Sequence, residues 1–272
     1  MPRIAIIIPA RLASSRFPAK PLAPITGADG TARMAISYTW EAAQAAARLL
    51  GGEVEVVVAT DDNSIADACA AQGIAAVMTP THCLNGTERC AAALGALAVR
   101  PDVVVNVQGD ALLTPPDMVQ RVVERLCASP DLAMATPVVA ASPAVLAHLQ
   151  ADAAAGRVGG TTAACASDGR VLYFSKSIIP HAAPGTTPLQ PVLLHIGVYA
   201  YRPDALEAYA ARPAAPLELQ EGLEQLRFLD AGLPVGTVLC DAPGWNVIEL
   251  NNPTDVVLIE AELARRAQGE TM

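Results

Sequence analysis

The sequence predicts an α/β fold: a mixed, mainly parallel sheet with helices on both faces and a small inserted β region. Three observations carry this expectation. Short β-branched runs, apolar on both faces, recur through the first half of the chain, as strands of a parallel sheet covered on both sides require. Ala-rich stretches of helical character separate them, so strand and helix alternate. The second half changes character, with Pro/Gly-rich loops between strand-like runs.

Taken in order, strands are expected over 3–8 (RIAIII), 53–60 (EVEVVVAT), weakly over 75–79 (AAVMT) and strongly over 102–107 (DVVVNV). Helices are expected over 32–50, 62–72 and 86–98 between them. Further strands are expected over 132–140, 170–177 and 193–202, with loops at 182–191 and 212–216. Helical patterns follow over 203–211 and 217–232. A strand over 235–240 and a helix over 253–267 close the chain. There is no internal repeat and no heptad run.

The bulk composition narrows the class. Of 272 residues 52% are hydrophobic and 17% charged, which is globular and excludes a disordered chain. Only 4% are aromatic, so Ala, Val, Leu and Ile must build the core. A net charge of −9 argues against a nucleic-acid binder, which needs a basic face. No apolar run approaches the ~18 residues of a membrane helix. Pro9 and Arg11 interrupt the first apolar run and no small-residue cleavage site follows, so no signal peptide is expected. Cys69, Cys83, Cys90, Cys127, Cys165 and Cys240 are scattered without a C-x-x-C pair, so neither zinc nor a disulfide framework is signalled. They read as small buried thiols of a cytoplasmic protein.

Ligands of open parallel sheets bind beyond the carboxyl ends of the strands. Three polar clusters fall there: PARLASSRFPAK after the first strand, ATDDNSIAD after the second, QGDALLTPP after the fourth. The first brings Arg11, Arg16, Lys20 and two Ser hydroxyls onto one loop of an acidic protein. Guanidinium groups bind phosphate oxygens in bidentate fashion and a Lys adds a point charge. The loop lacks the Walker A pattern, and a triphosphate is its natural partner; the bland alternative is a solvated basic loop. Asp110 follows a buried strand, placed to hold Mg²⁺ beside phosphate oxygens or to serve only as a helix N-cap or turn residue. In NGTERCAAAL, Thr87 reads as a helix N-cap, and a helix N-terminus also binds anions. His195 lies within an apolar strand. No H-x-x-x-H, H-E-x-x-H or G-x-S-x-G is present, which gives no support to a His-based metal site or a serine hydrolase.

The segments IIIPARLASSRFPAKPL, VVVATDDNSIAD, NGTER, VNVQGDALLTPP, LYFSKSIIP, HIGVYAYR and LELQEGLEQLRFLDAG occur in this order. Together they resemble the 3-deoxy-manno-octulosonate (Kdo) cytidylyltransferases over roughly residues 3–256. The resemblance implies a nucleotidyltransferase fold of Rossmann type in a single domain. Its nucleotide-binding half would span about 1–130, an acceptor and dimerisation half about 131–250, and a C-terminal helix 253–267. It implies a cytoplasmic homodimer joining CMP from CTP to Kdo with Mg²⁺, an activation step of lipopolysaccharide biosynthesis. By that resemblance Ala10, Arg11, Ser14, Arg16 and Lys20 hold the triphosphate. Ala59, Thr60, Asp61, Gly86, Thr87 and Arg89 surround the nucleoside, and Gln108 lies near the reaction centre. Arg11, Arg16, Lys20, Gln108 and Asp110 form the catalytic set. Asp110 and Asn251 hold the metal, with Glu249 as a substitute for Asn251. His195, Tyr199, Glu224 and Gln225 line the acceptor pocket.

The chain departs from the family pattern at named positions. Ala19 stands for the Gly of RxPGK, Asn85 for the Ser of SGT, and Ala111-Leu112 for the EP of QGDEP. Asn251 stands for the Asp of VDTPEDL. On the acceptor side Thr162 replaces a Lys, Lys176 an Arg, and His181 begins a stretch where the family has Arg. These changes leave open a different anionic acceptor, such as another sugar acid or a phosphonate, or a nucleotide-binding protein without activity.

Overall fold

The computed structural model describes residues 1–13, 16–183, 189–245 and 247–269. The chain divides into two compact units, Met1–Gln120 with Pro243–Met272, and Arg121–Ala242.

The first unit opens with β1 (Ile4–Ala10), followed by a hairpin of β2 (Pro24–Thr26) and β3 (Ala32–Met34). Next come α1 (Ala35–Leu50), β4 (Val54–Thr60), α2 (Asn63–Ala71), β5 (Ala76–Met78), α3 (Gly86–Ala93) and β6 (Val103–Val107). These four main strands form a parallel sheet in the order β5-β4-β1-β6. Ile6, Ile7 and Ile8 of β1 have no exposed surface, which is why the opening run is apolar on both faces. All three strand ends carrying polar clusters point the same way in this sheet. The expected helix over 32–50 begins only at Ala35. Its first three residues instead close the hairpin, turned by Gly27, Asp29 and Gly30: Thr31 N–H donates to Asp29 Oδ1 at 2.9 Å, and Gly30 adopts φ 78°. The expected helix over 86–98 stops at Ala93 and tightens to a 3₁₀ turn over Leu94–Ala96.

Through α4 (Pro116–Cys127) the chain enters the second unit. It holds β7 (Met134–Ala140), α5 (Pro143–Ala154), β8 (Thr162–Cys165), β9 (Val171–Ser175), β10 (Leu193–His195), β11 (Val198–Tyr201), α6 (Pro203–Ala210), α7 (Pro216–Glu221), α8 (Leu226–Asp230) and β12 (Val235–Cys240). Within this unit β7 is central, with β12 parallel on one side and β10 and β11 antiparallel on the other. Helices α4 and α5 and strand β8 were not anticipated, although Pro116 and the Ser142-Pro143 cap are helix-start signals. The expected strand over 193–202 is two strands. The expected helix over 217–232 is also two, because Gly222 turns left-handed at φ 63°. Glu218 and Arg227 bridge the pieces with paired 2.6 Å contacts in a buried setting.

The chain returns to the first unit for α9 (Asp255–Ala267). Leu112, Leu113, Leu250 and Ile259 share a core cluster with Ala23, Ile25, Ala35 and Tyr38. All six cysteines are free thiols; Cys127 is exposed and Cys165 half-buried, so the uniform burial expected of them does not hold. Among the described residues no helix is long and apolar enough to cross a membrane.

Candidate active site

The cationic loop leaves β1 with Arg11 and Arg16 exposed and Lys20 half-buried. Ser14 lies outside the described residues. Ala19 sits in the left-handed region at φ 53°, ψ 27°, and starts a 3₁₀ turn over Lys20–Leu22. That turn directs Lys20 Nζ to Asp110 Oδ2 at 2.5 Å. Asp110 follows β6 within a turn closed by Ala111 N–H to Gln108 O at 2.9 Å. It is thus a turn residue and the carboxylate facing the loop. Gly109 is required here: a Cβ on it would lie 2.5 Å from the Pro9 carbonyl oxygen.

The C-terminal return completes this cluster. Leu250 N–H donates to Asp110 O at 2.8 Å, and its side chain is fully buried. Its neighbours are less covered, Glu249 exposed and Asn251 half-buried. Arg16 Nη2 donates to Asn251 Oδ1 and Asn251 Nδ2 to Glu249 Oε2, each at 3.3 Å. Glu249 keeps an open face to solvent, yet protein packed around its carboxyl strips away water and raises its pKa. Asp110 adds like-charge repulsion, while Asn251, Lys20 and Arg16 pull the other way. Asp255 Oδ2 fixes the turn by accepting Asn251 N–H at 2.8 Å and Asn252 N–H at 2.6 Å.

On the other side of β1, Asn85 rather than Thr87 caps α3, its side chain accepting Glu88 N–H at 2.8 Å. Thr87 is buried. A Cβ on Gly86 would meet Gln108 Oε1 at 3.1 Å, so the helix start and Gln108 are in contact. Arg89 is buried and spans to Asp61 at 2.8 Å and to Thr79 at 2.7 Å. Thr79, unmarked in the sequence, is thus part of this arrangement. Ala10, Ala59 and Thr60 are buried at paired strand ends, Ala10 opposite Thr60.

The acceptor-side candidates all fall in the second unit. Tyr199 is buried, Glu224 half-buried, and both belong to the stretch around β11 and the α7–α8 turn. Gln225 is 2% exposed, and its Nε2 has no hydrogen-bond partner among the described residues. His195 packs edge-on to Phe174, centroids 5.1 Å apart, and tilted on Tyr199 at 5.3 Å. Burial pushes its pKa down to about 3, so the imidazole is neutral at physiological pH.

The cytidylyltransferase family profile matches residues 5–235. A 3-deoxy-manno-octulosonate cytidylyltransferase of Maricaulis maris is 44% identical over 98% of both chains. The chain belongs to the Kdo cytidylyltransferase family. The Zea mays relative of the same name is 37% identical over 96% of this chain and 80% of its own. The solved structure of CMP:2-keto-3-deoxy-manno-octonic acid synthetase complexed with CTP superposes with a TM-score of 0.81. It is 31% identical and covers 97% of this chain and 99% of its own. A 4-diphosphocytidyl-2C-methyl-D-erythritol synthase from Anaerococcus prevotii, 13% identical over 97% and 99% at a TM-score of 0.57, shares the fold.

As a cytidylyltransferase, the chain uses CTP. Several of its departures from the Kdo cytidylyltransferase pattern have local causes. Asn85 caps α3 through a side-chain oxygen, as a Ser would. Ala111 and Leu112 are buried, Leu112 in the cluster that anchors α9. Asn251 stands between Arg16 and Glu249, accepting from one and donating to the other; an Asp there would face the Glu249 carboxylate with a second negative charge. Thr162 spends its hydroxyl on the backbone, donating to Ser177 O at 2.7 Å and accepting Ile179 N–H at 3.1 Å. The His181 change has no structural account here.

Proposed function

We propose that the chain joins CMP from CTP to Kdo, releasing pyrophosphate, with Mg²⁺ as cofactor. The Lys20–Asp110 pair is the observation that carries this reading. It draws the cationic loop and the strand-end carboxylate to one point, where a triphosphate and a divalent cation need both signs of charge. Arg11, Arg16 and Lys20 neutralise the phosphates, and Gln108 orients the reacting group. Ala10, Ser14, Ala59, Thr60, Asp61, Gly86, Thr87 and Arg89 complete the nucleotide site.

The donor set fits Mg²⁺: Asp110 and Glu249 offer carboxylate oxygens and Asn251 its amide Oδ1. Held by these residues, Mg²⁺ would neutralise charge on the phosphate oxygens. The acceptor hydroxyl attacks the α-phosphorus in line, and its proton is released to water. The bond to the bridging oxygen breaks, and pyrophosphate leaves with that electron pair. Positioning and charge do the work, so no covalent intermediate is needed. His195, Tyr199, Glu224 and Gln225 bind the acceptor.

A second reading, another anionic acceptor, is favoured by Thr162, whose engaged hydroxyl brings no charge to the acceptor side. The purified protein with CTP, Mg²⁺ and a panel of sugar acids and phosphonates separates the two by pyrophosphate release. Turnover of Kdo far above the rest supports the first; turnover of another acid without Kdo overturns it. Binding of CTP with no turnover at all supports an inactive protein. Asp110→Ala is expected to lower kcat about 100-fold or more. We also read the protein as a cytoplasmic homodimer, its nucleotide half near 1–130 and its acceptor and dimerisation half near 131–250; sedimentation tests the dimer.

A further inference from the structure

Thr136, fully buried in β7, has a single hydroxyl proton and three close neighbours. Its Oγ1 lies 2.7 Å from Val198 O, 3.4 Å from Ile196 O and 2.9 Å from His195 Nε2. The two carbonyl oxygens can only accept. At 2.7 Å an oxygen pair without an intervening proton is repulsive, so the Thr136 proton belongs to Val198 O. A lone pair of Oγ1 then faces His195 Nε2, and that nitrogen must carry the ring proton. In a neutral ring the other nitrogen, Nδ1, is a pure acceptor. It has no partner among the described residues.

Why Thr136 meets these carbonyls follows from its neighbour. Pro137 sits in the middle of a central strand, where proline is tolerated only at a bulge. Its carbonyl accepts Ile196 N–H at 3.2 Å, so its nitrogen, which has no proton, faces the same neighbouring strand. The ladder breaks there. His195 pairs with Val138, but Ala200 pairs with Ala135, a slip of two residues across Ile196 and Gly197. Val198 N–H turns back to Ile196 O at 2.7 Å. The break exposes carbonyls to the Thr136 hydroxyl and aims the His195 ring at it.

We propose that Thr136 is a positioning residue that locks His195 as the Nε2–H tautomer, so that His195 recognises a hydroxyl group of the acceptor through Nδ1. The inference rests on His195 belonging to the acceptor site. It makes His195 a hydroxyl reader and leaves recognition of the acceptor carboxylate to other groups.

Long-range ¹H–¹⁵N correlation spectra of the full chain test the lock directly, since only four histidines contribute and His195→Gln assigns the signal. A protonated Nε2 with a pyridine-type Nδ1 at pH 7 is expected. A protonated Nδ1 or an imidazolium overturns the proposal, with no variant needed. Thr136→Val should mix the tautomers and raise the acceptor KM about tenfold, the loss of one hydrogen bond, with the CTP KM unchanged. Thr136→Ser should restore both. If Thr136→Val retains the tautomer, the lock is refuted. If the wild-type tautomer is as assigned but His195→Gln leaves the acceptor KM unchanged, the hydroxyl-reading role falls, and with it the place of His195 in the acceptor site.

Discussion

Three side chains show at the residue scale how opposing effects are decided by size. Ala19 holds a left-handed conformation, which costs a residue with a Cβ about 1–2 kcal/mol. Replacing it by Gly removes that strain but frees the unfolded chain, a loss of about 0.4–1 kcal/mol. The strain is larger on average, so Ala19→Gly should stabilise by up to about 1.6 kcal/mol in denaturant titrations. Glu249 carries a pKa raised mainly by desolvation, then by Asp110. Its ionised form is less welcome in the folded state, a cost that appears as pH climbs past the usual carboxylate range. Glu249→Gln should therefore raise the Tm of the ligand-free protein at pH 7 while weakening its response to Mg²⁺, the trade common at functional sites. His195 works in the opposite sense: its folded pKa of about 3 lies below its usual 6.5. Its stability is complete above pH 6.5. As pH falls toward 3 the unfolded chain binds a proton that the folded one refuses, losing at most about 1.4 kcal/mol per unit. Unfolding curves across that range should lose this component in His195→Gln.

The turns between elements put the candidate site together. The 3₁₀ turn after Ala19 aims Lys20, and the turn after β6 aims Asp110. In the second unit the α7–α8 corner depends on Arg227, which is 2% exposed, holds Glu218 through two nitrogens and stacks over Tyr209 at 4.1 Å. Glu218 also accepts Ala215 N–H at 3.0 Å. Removing one member of a buried pair strands the other charge, at about 3–5 kcal/mol. Glu218→Ala should show that loss in chemical denaturation. Glu224 and Gln225 are carried on this corner, so the acceptor KM should rise even where the variant stays folded.

At the scale of the whole molecule, an acidic chain gathers Arg11, Arg16 and Lys20 within one loop of the first unit, and the acceptor candidates lie in the second. Few aromatics are available, three Phe, five Tyr and two Trp. Phe174, Tyr199, Tyr201, Tyr209 and Phe228 form a row in the second unit, with His195 between the first two. Hydrogen exchange should divide accordingly. CTP with Mg²⁺ should protect 11–20, 108–113 and 249–251, and the acceptor should protect 195–199. Protection of 195–199 by CTP alone would contradict this division.

The sequence determined the parallel strands of the first unit and the polar loops at their ends, because burial on both faces and charge in an acidic chain are local signals. Arg16, Lys20 and Asp110 were legible for that reason, and the ordered motifs carried the family. Tertiary structure decided what local pattern cannot encode. The run 193–202 alternates like one strand, yet it splits because Pro137, some sixty residues away, denies it a donor. Residues 32–34 have helical composition, yet they pair with β2 across the Gly27–Gly30 turn. Thr136 has no motif at all; only the break opposite Pro137 brings its hydroxyl to His195. Pairing across the sheet is a long-range choice, and it is made by backbone donors and acceptors that the side-chain sequence does not spell out.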